Sequence, residues 1–257
     1  MPGSPVETSS AQPLAQFSQE LRIPLWESPP LGIPPENAPA LTISLALIDL
    51  AGDEAALQQL FQDTWYRGLK PQDYVRELVR VQTDEYRDMG EEVRHYPGRV
   101  GSATLNWSYE EHFDTEVNTP RLLVVSQNRA NYSGGAHGSY DKQYFVFDRE
   151  VTMLVRLPDL IREEARPSLK ILLNRELRAT KKLGANDSLQ RAGFSVDEVE
   201  LTDNYFLSPQ GLGFHWDPYE IAPYAEGYVE AIIPYTEIEN LLSPEGQRLI
   251  REFGNKK

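Results

Sequence analysis

The sequence predicts an α+β protein, with antiparallel sheets carrying packed helices in two intimately packed subdomains. Apolar residues recur with period two at Leu21, Ile23 and Leu25, and again at Leu41, Ile43, Leu45 and Leu47. Others recur at helical spacing, as at Leu169, Leu172, Leu173 and Leu177. Strands and helices do not alternate regularly enough for repeated βαβ units, which argues against a doubly wound parallel sheet. The expected division is a Pro/Ser-rich tether or arm over 1–39, an N-terminal α+β subdomain over 40–131 and a C-terminal α+β subdomain over 132–257.

The elements follow in order. Phe17, Leu21, Ile23, Leu25 and Trp26 give the arm anchors and a first strand, and Leu41 to Leu47 give a second. Asp53 is placed to cap a helix that buries Leu57, Leu60, Phe61 and Trp65. Pro71 suits a first helical position; Tyr74, Val75, Leu78, Val79 and Tyr86 carry that helix to a stop at Gly90. Ala103, Leu105, Trp107 and Tyr109 alternate with polar residues, and the runs 121–127 and 143–148 extend an antiparallel meander. Pro158 and Asp159 open a short helix, and Pro167 a longer one reaching Leu183 and Gly184. Ser208-Pro209-Gln210-Gly211 is a hairpin turn between two short strands. The last strand spans Tyr228 to Pro234, and short helices follow around 237–242 and 244–253.

Composition excludes several classes of function. Thirty-nine Asp and Glu against 25 Lys and Arg give a net charge of −14, which opposes nucleic-acid and anionic-membrane binding and steers cationic partners. The absence of cysteine removes thiolate nucleophiles, Cys-ligated zinc, iron–sulfur clusters and disulfides. The longest apolar run, from Leu41, is too short to span a bilayer and contains Thr42, Ser44 and Asp49. The start MPGSPVETSSAQP has neither the basic nor the apolar region of a signal peptide, so an export signal is expected to precede it.

Two clusters carry candidate chemistry. In YSGGAHGSY, Tyr132 to Tyr140, three glycines surround His137 and permit positive φ or close approach, but the Lys-Ser/Thr pair of a phosphate loop is missing. Tyr132 and His137 are candidate binding residues there; the alternative is a tight turn whose histidine caps backbone groups. In GFHWDPYEIAPYAEGY, Gly213 to Tyr228, extended backbone puts His215 and Asp217 on one face and Trp216 on the other. Trp216, Tyr219 and Tyr224 offer rigid recognition surface, or equally a Pro-stiffened loop packed over a core. His137, His215, Asp217 and Glu220 match no metal-ligand spacing, so no metal and no cofactor is expected. No G-x-S-x-G elbow is present, no catalytic residue is assigned, and Glu110 with Glu111, like Glu163 with Glu164, read as solvated pairs.

YSGGAHGSY, then YFVFD, Leu-Pro-Asp-Leu-Ile and NYFLSPQGLGFHWDPYEIAPYAEGYVEAIIPYTEI, resembles a bacterial domain-of-unknown-function family. That family forms the extracellular region of RsiV-type anti-sigma factors and accompanies the peptidoglycan deacetylase PdaC. The likeness covers about residues 40–245 and is closest after Tyr132. It implies a non-enzymatic, exported envelope module, periplasmic or extracellular, either soluble or anchored through a lipidated cysteine preceding this sequence. The implied ligand is a basic protein such as lysozyme, or a peptidoglycan-derived glycan; the RsiV type binds lysozyme. The rival readings are a cell-wall hydrolase using His137 or His215 with a carboxylate, and a purely structural envelope domain. Neither a cytoplasmic anti-sigma region nor a deacetylase domain is recognisable, so those activities do not carry over. The oligomeric state is left open.

Overall fold

A computed structural model describes residues 14–27, 38–50, 55–95 and 102–254. The expected cap at Asp53 lies outside the described residues. Strands β1 (Ala15–Pro24) and β2 (Ala40–Asp49) are followed by helices α1 (Ala55–Trp65) and α2 (Pro71–His95). Strands β3 (Trp107–Asn118), β4 (Leu122–Tyr132), β5 (Ser139–Asp148) and β6 (Met153–Val155) come next, then α3 (Leu157–Leu160) and α4 (Arg166–Thr180). The chain ends with β7 (Tyr205–Ser208), β8 (Gly211–Trp216), β9 (Val229–Ile233), α5 (Tyr235–Ile238) and α6 (Pro244–Gly254). Among the described residues, β1 to β6 form one sheet in sequence order, and β7, β8 and β9 a second. The chain is thus α+β, with antiparallel pairing dominant.

One compact unit comprises the described residues within 14–113 and 127–141. Here β1 pairs antiparallel with β2, from Ala15 against Asp49 to Pro24 against Ala40. The next pair is parallel, Leu41 opposite Trp107, because α1 and α2 form the crossover between β2 and β3. Leu41, Ile43, Leu45 and Leu47 point inward, as their alternation predicts. The same unit buries a ring cluster in which Phe61 lies 3.7 Å from Trp65 and 6.0 Å from Phe113 between centroids.

Two expectations for this unit are corrected. Gly90 does not end α2; it is buried inside the helix, where an added Cβ would come within 2.6 Å of Leu25 Cδ1. Its smallness admits the chain after β1, a packing reason that a stop signal imitates in sequence. Ser102–Leu105 is a 3-10 turn rather than strand, and the Leu105 carbonyl accepts the Tyr86 hydroxyl at 2.7 Å.

The other unit comprises 114–126 and 142–254 of the described residues. Its core joins Leu122, Val124 and Val146 to Leu169, Leu173 and Leu177 of α4 and to Phe214, Trp216 and Ile233 of the second sheet. The hairpin forms as predicted, with Ser208 opposite Gly211 and Leu207 opposite Leu212. Gly213 is required there, since a Cβ would lie 2.1 Å from the Phe206 ring. Helix α4 ends at Thr180, before the expected Leu183.

Candidate functional site

The glycine-rich segment is the connection between β4 and β5, within the 14–113/127–141 unit. Gly134 and Gly135 have φ of +94° and +102°, and a Cβ on Gly138 would stand 2.7 Å from the Asn131 carbonyl. The loop is therefore shaped by backbone geometry only glycine adopts easily. The Tyr132 hydroxyl donates to Gly135 O at 3.0 Å, folding the ring onto its own turn. His137 is exposed, with Nδ1 2.9 Å from Gly138 O.

His215, Trp216, Asp217, Tyr219 and Tyr224 belong to the other unit. On β8 the alternation works as expected: Trp216 enters the core beside Phe214, with centroids 6.4 Å apart, and His215 faces the other way. His215 is nonetheless fully buried, because the opposite face of β8 is covered as well. Its Nδ1 lies 2.8 Å from Glu230 Oε1 on β9 and its Nε2 3.1 Å from Asp217 Oδ1. Burial opposes a charge on the ring, but the two carboxylates accept from both nitrogens and raise its pKa above the ordinary histidine value. Hydrogen bonding from His215 holds the Glu230 carboxyl below its usual range against a burial effect of opposite sign.

The clamp is braced on every side. Asp217 Oδ1 accepts the Lys142 N–H at 2.9 Å, and the Asp217 N–H donates to Glu220 Oε2 at 2.7 Å. The Tyr144 hydroxyl donates to Glu230 Oε1 at 3.0 Å, and burial, then Glu230, push its own pKa far up. Asn204 joins β5 to β8: its side chain accepts from Tyr144 N at 2.9 Å and donates to Lys142 O at 2.7 Å, while its carbonyl accepts His215 N–H at 2.9 Å.

Beyond the clamp the chain turns outward. The Asp217 carbonyl accepts Glu220 N–H at 3.1 Å, and Tyr219 N–H donates to Ala222 O at 2.9 Å. Tyr219 sits at φ +73°, uncommon for a side chain of its size, and is 65% exposed. Its ring lies 5.7 Å from that of half-buried Tyr224. Of the residues singled out by sequence, the structure thus pairs His215 with Asp217 and Tyr219 with Tyr224. Trp216 and His215 are both buried.

The same stretch decides the comparison with known proteins. Residues 158–236 match the family described as "Protein of unknown function (DUF3298)". A DUF3298 member from Bacteroides fragilis, known as a crystal structure, superposes with a TM-score of 0.80 at 26% identity, covering 96% of this chain and 99% of that one. A DUF3298 protein from Pseudomonas aeruginosa shares the fold at a TM-score of 0.61 and 18% identity, covering 93% and 97%. The peptidoglycan-N-acetylmuramic acid deacetylase PdaC of Bacillus subtilis is 24% identical over 104 residues, 40% of this chain and 22% of that protein. The chain thus matches about a fifth of the deacetylase's length. The domain-of-unknown-function resemblance read from the motifs is borne out.

The matched segment also holds residues that sequence reasoning missed. Glu230 and Asn204 give no local signal, because their role depends on strands brought together by the fold. Outside the segment, Glu111 is corrected: far from solvated, it is fully buried. It accepts from Tyr74 at 3.0 Å, Tyr109 at 2.8 Å and Gln127 Nε2 at 2.8 Å. A signal existed, since Glu111 shares the inward phase of β3 with Tyr109 and Phe113. Glu110 and the pair Glu163 and Glu164 are exposed, as read.

Proposed function

We propose that the chain is an envelope-facing binding module, periplasmic or extracellular, whose outward tyrosine pair anchors a cationic wall-active protein, with lysozyme as the first candidate. The observation carrying this reading is Tyr219: a large aromatic at positive φ, mostly exposed, beside Tyr224 and presented by a turn braced at Asp217 and Glu220. Strained, exposed aromatics on rigid turns are characteristic of recognition rather than packing. The charge of −14 favours a basic partner and speeds encounter. The likeness to part of PdaC supports a cell-wall setting.

A hydrolase built on His215 receives less support, because both ring nitrogens of this buried residue already face carboxylates and none is left to take a proton from substrate. The test is calorimetry against several lysozyme classes and against soluble peptidoglycan fragments, at low and high salt. Specific capture keeps measurable affinity at high salt, and Tyr219→Ala weakens it about tenfold. Binding to every lysozyme that vanishes on screening would overturn the reading, and affinity for the glycan alone would replace the protein ligand.

A further inference from the structure

A second site lies away from the tyrosine turn, in the same unit as the clamp. Asp148, Val151, Met153, Val155, Asp159, Ser243, Pro244 and Glu245 line a cavity of about 460 Å³, within the range of ligand pockets. Its floor is apolar and open, for Val151 is 55% and Met153 51% exposed.

The walls are firmly held. The Tyr205 hydroxyl donates to Val155 O at 2.8 Å, fixing β6 from behind. Ser243 donates its N–H to Leu160 O at 2.8 Å and its hydroxyl to Asp159 O. A Cβ on Gly246 would stand 2.2 Å from Leu160 O, so α6 starts pressed against α3. Asp148 Oδ1 accepts Glu150 N–H at 2.8 Å and shapes the turn before β6.

The charges on the wall are all acidic, but they are not equivalent. Arg248 on α6 reaches Asp148, Glu150 and Glu245, so each of those acids has a guanidinium beside it. Asp159 has no cationic partner among the described residues; its Oδ2 accepts only the Arg156 backbone N–H, at 2.8 Å. An apolar floor ending at an uncompensated carboxylate complements an ammonium group on an aliphatic stem.

We propose that this cavity binds a lysine side chain of a basic partner polypeptide, together with one apolar neighbour of that lysine. The stem and the neighbour cover Val151, Met153 and Pro244, and the ammonium meets Asp159. The proposal rests on the binding-module reading and gives it a second contact point, apart from the tyrosine turn.

The probe is acetyl-Leu-Lys-amide, titrated into the isotopically labelled full chain and followed by amide chemical shifts, with acetyl-Leu-norleucine-amide as the uncharged control. The lysine peptide should shift residues 151–155, 159 and 243–245, the norleucine peptide much less. Asp159→Asn retains an acceptor for the Arg156 N–H and should weaken the lysine peptide about fivefold. Met153→Lys, a surface change that leaves the core intact, should block the site by filling it with its own cation. Equal shifts from both peptides, no shift at these residues, or indifference to Asp159→Asn would each overturn the proposal. Lysozyme binding is measured on the same variants. If capture persists unchanged in Asp159→Asn, the cavity proposal falls and the module reading stands; if the peptide binds but no wall-active protein does, the reverse holds.

Discussion

Each unit buries a polar side chain on a strand, a carboxylate in one and an imidazole in the other, and the two clusters meet the cost of burial differently. Glu111 is hydrogen-bonded by neutral donors, two tyrosine hydroxyls and an amide. Burial, followed by the nearby carboxylate, pushes the hydroxyls of Tyr74 and Tyr109 well above their ordinary pKa, so they remain donors at any physiological pH. His215 is instead flanked by two carboxylates, each partly open to water. The His215 clamp is held between ionisable partners, so its strength depends on their protonation. The first cluster is held by hydrogen bonds from neutral side chains, and the second by an imidazole between two carboxylates.

The contrast can be broken in descending order of effect. Glu111→Ala strands three donors in a dry interior and should cost about 3 kcal/mol in urea denaturation. His215→Gln should cost about 2 kcal/mol, less because Asp217 and Glu230 can recover some hydration. Equal costs would remove the distinction.

The pH profile sharpens it. The raised His215 pKa gives stability that is complete below the unfolded histidine value and lost as pH rises through the folded one. The depressed Glu230 pKa gives stability present above the unfolded glutamate value and lost as pH falls through the folded one. The gap between the native chain and His215→Gln should therefore be widest between about pH 4.3 and about pH 6.5, and should narrow on either side. A gap independent of pH would show that His215 is not charged in the fold.

The smallest effects come from single hydroxyls. Tyr109→Phe and Tyr144→Phe should each cost about 1 kcal/mol. Tyr144→Phe also removes a bond that lowers the Glu230 pKa, so its acid limb should move to higher pH.

Much of the fold was legible because local periodicity carried it. The alternation at Leu41 to Leu47, the stripe on α4 and the turn at Pro209-Gln210 each need only neighbouring residues to declare themselves. Gly90 misled, since glycine between packed segments and glycine at a helix end look alike in sequence. The site was legible in halves. His215 beside Asp217 follows from the two-residue strand period, whereas Glu230, Tyr144 and Asn204 arrive from three other segments. Glu111 was readable from phase alone, and only the habit of treating adjacent acids as surface obscured it. The cavity by α6 had no sequence signal, for its lining comes from a turn, an edge strand and two helix starts.

The parallel pairing of β2 with β3 has a consequence for the order of folding. The β7–β8 hairpin closes over a two-residue turn, whereas the Ala40 N–H finds the Asn106 side chain across 66 residues of chain. The entropy of closing so long a loop is lost before the strand pair returns any contacts, and both crossover helices must be in place to span it. Pulse-labelling hydrogen exchange during refolding should accordingly protect β7 and β8 early and the β2–β3 ladder late. In the interval, the alternating apolar face of β2 is uncovered, which leaves Leu41 to Leu47 open to aggregation while the chain folds.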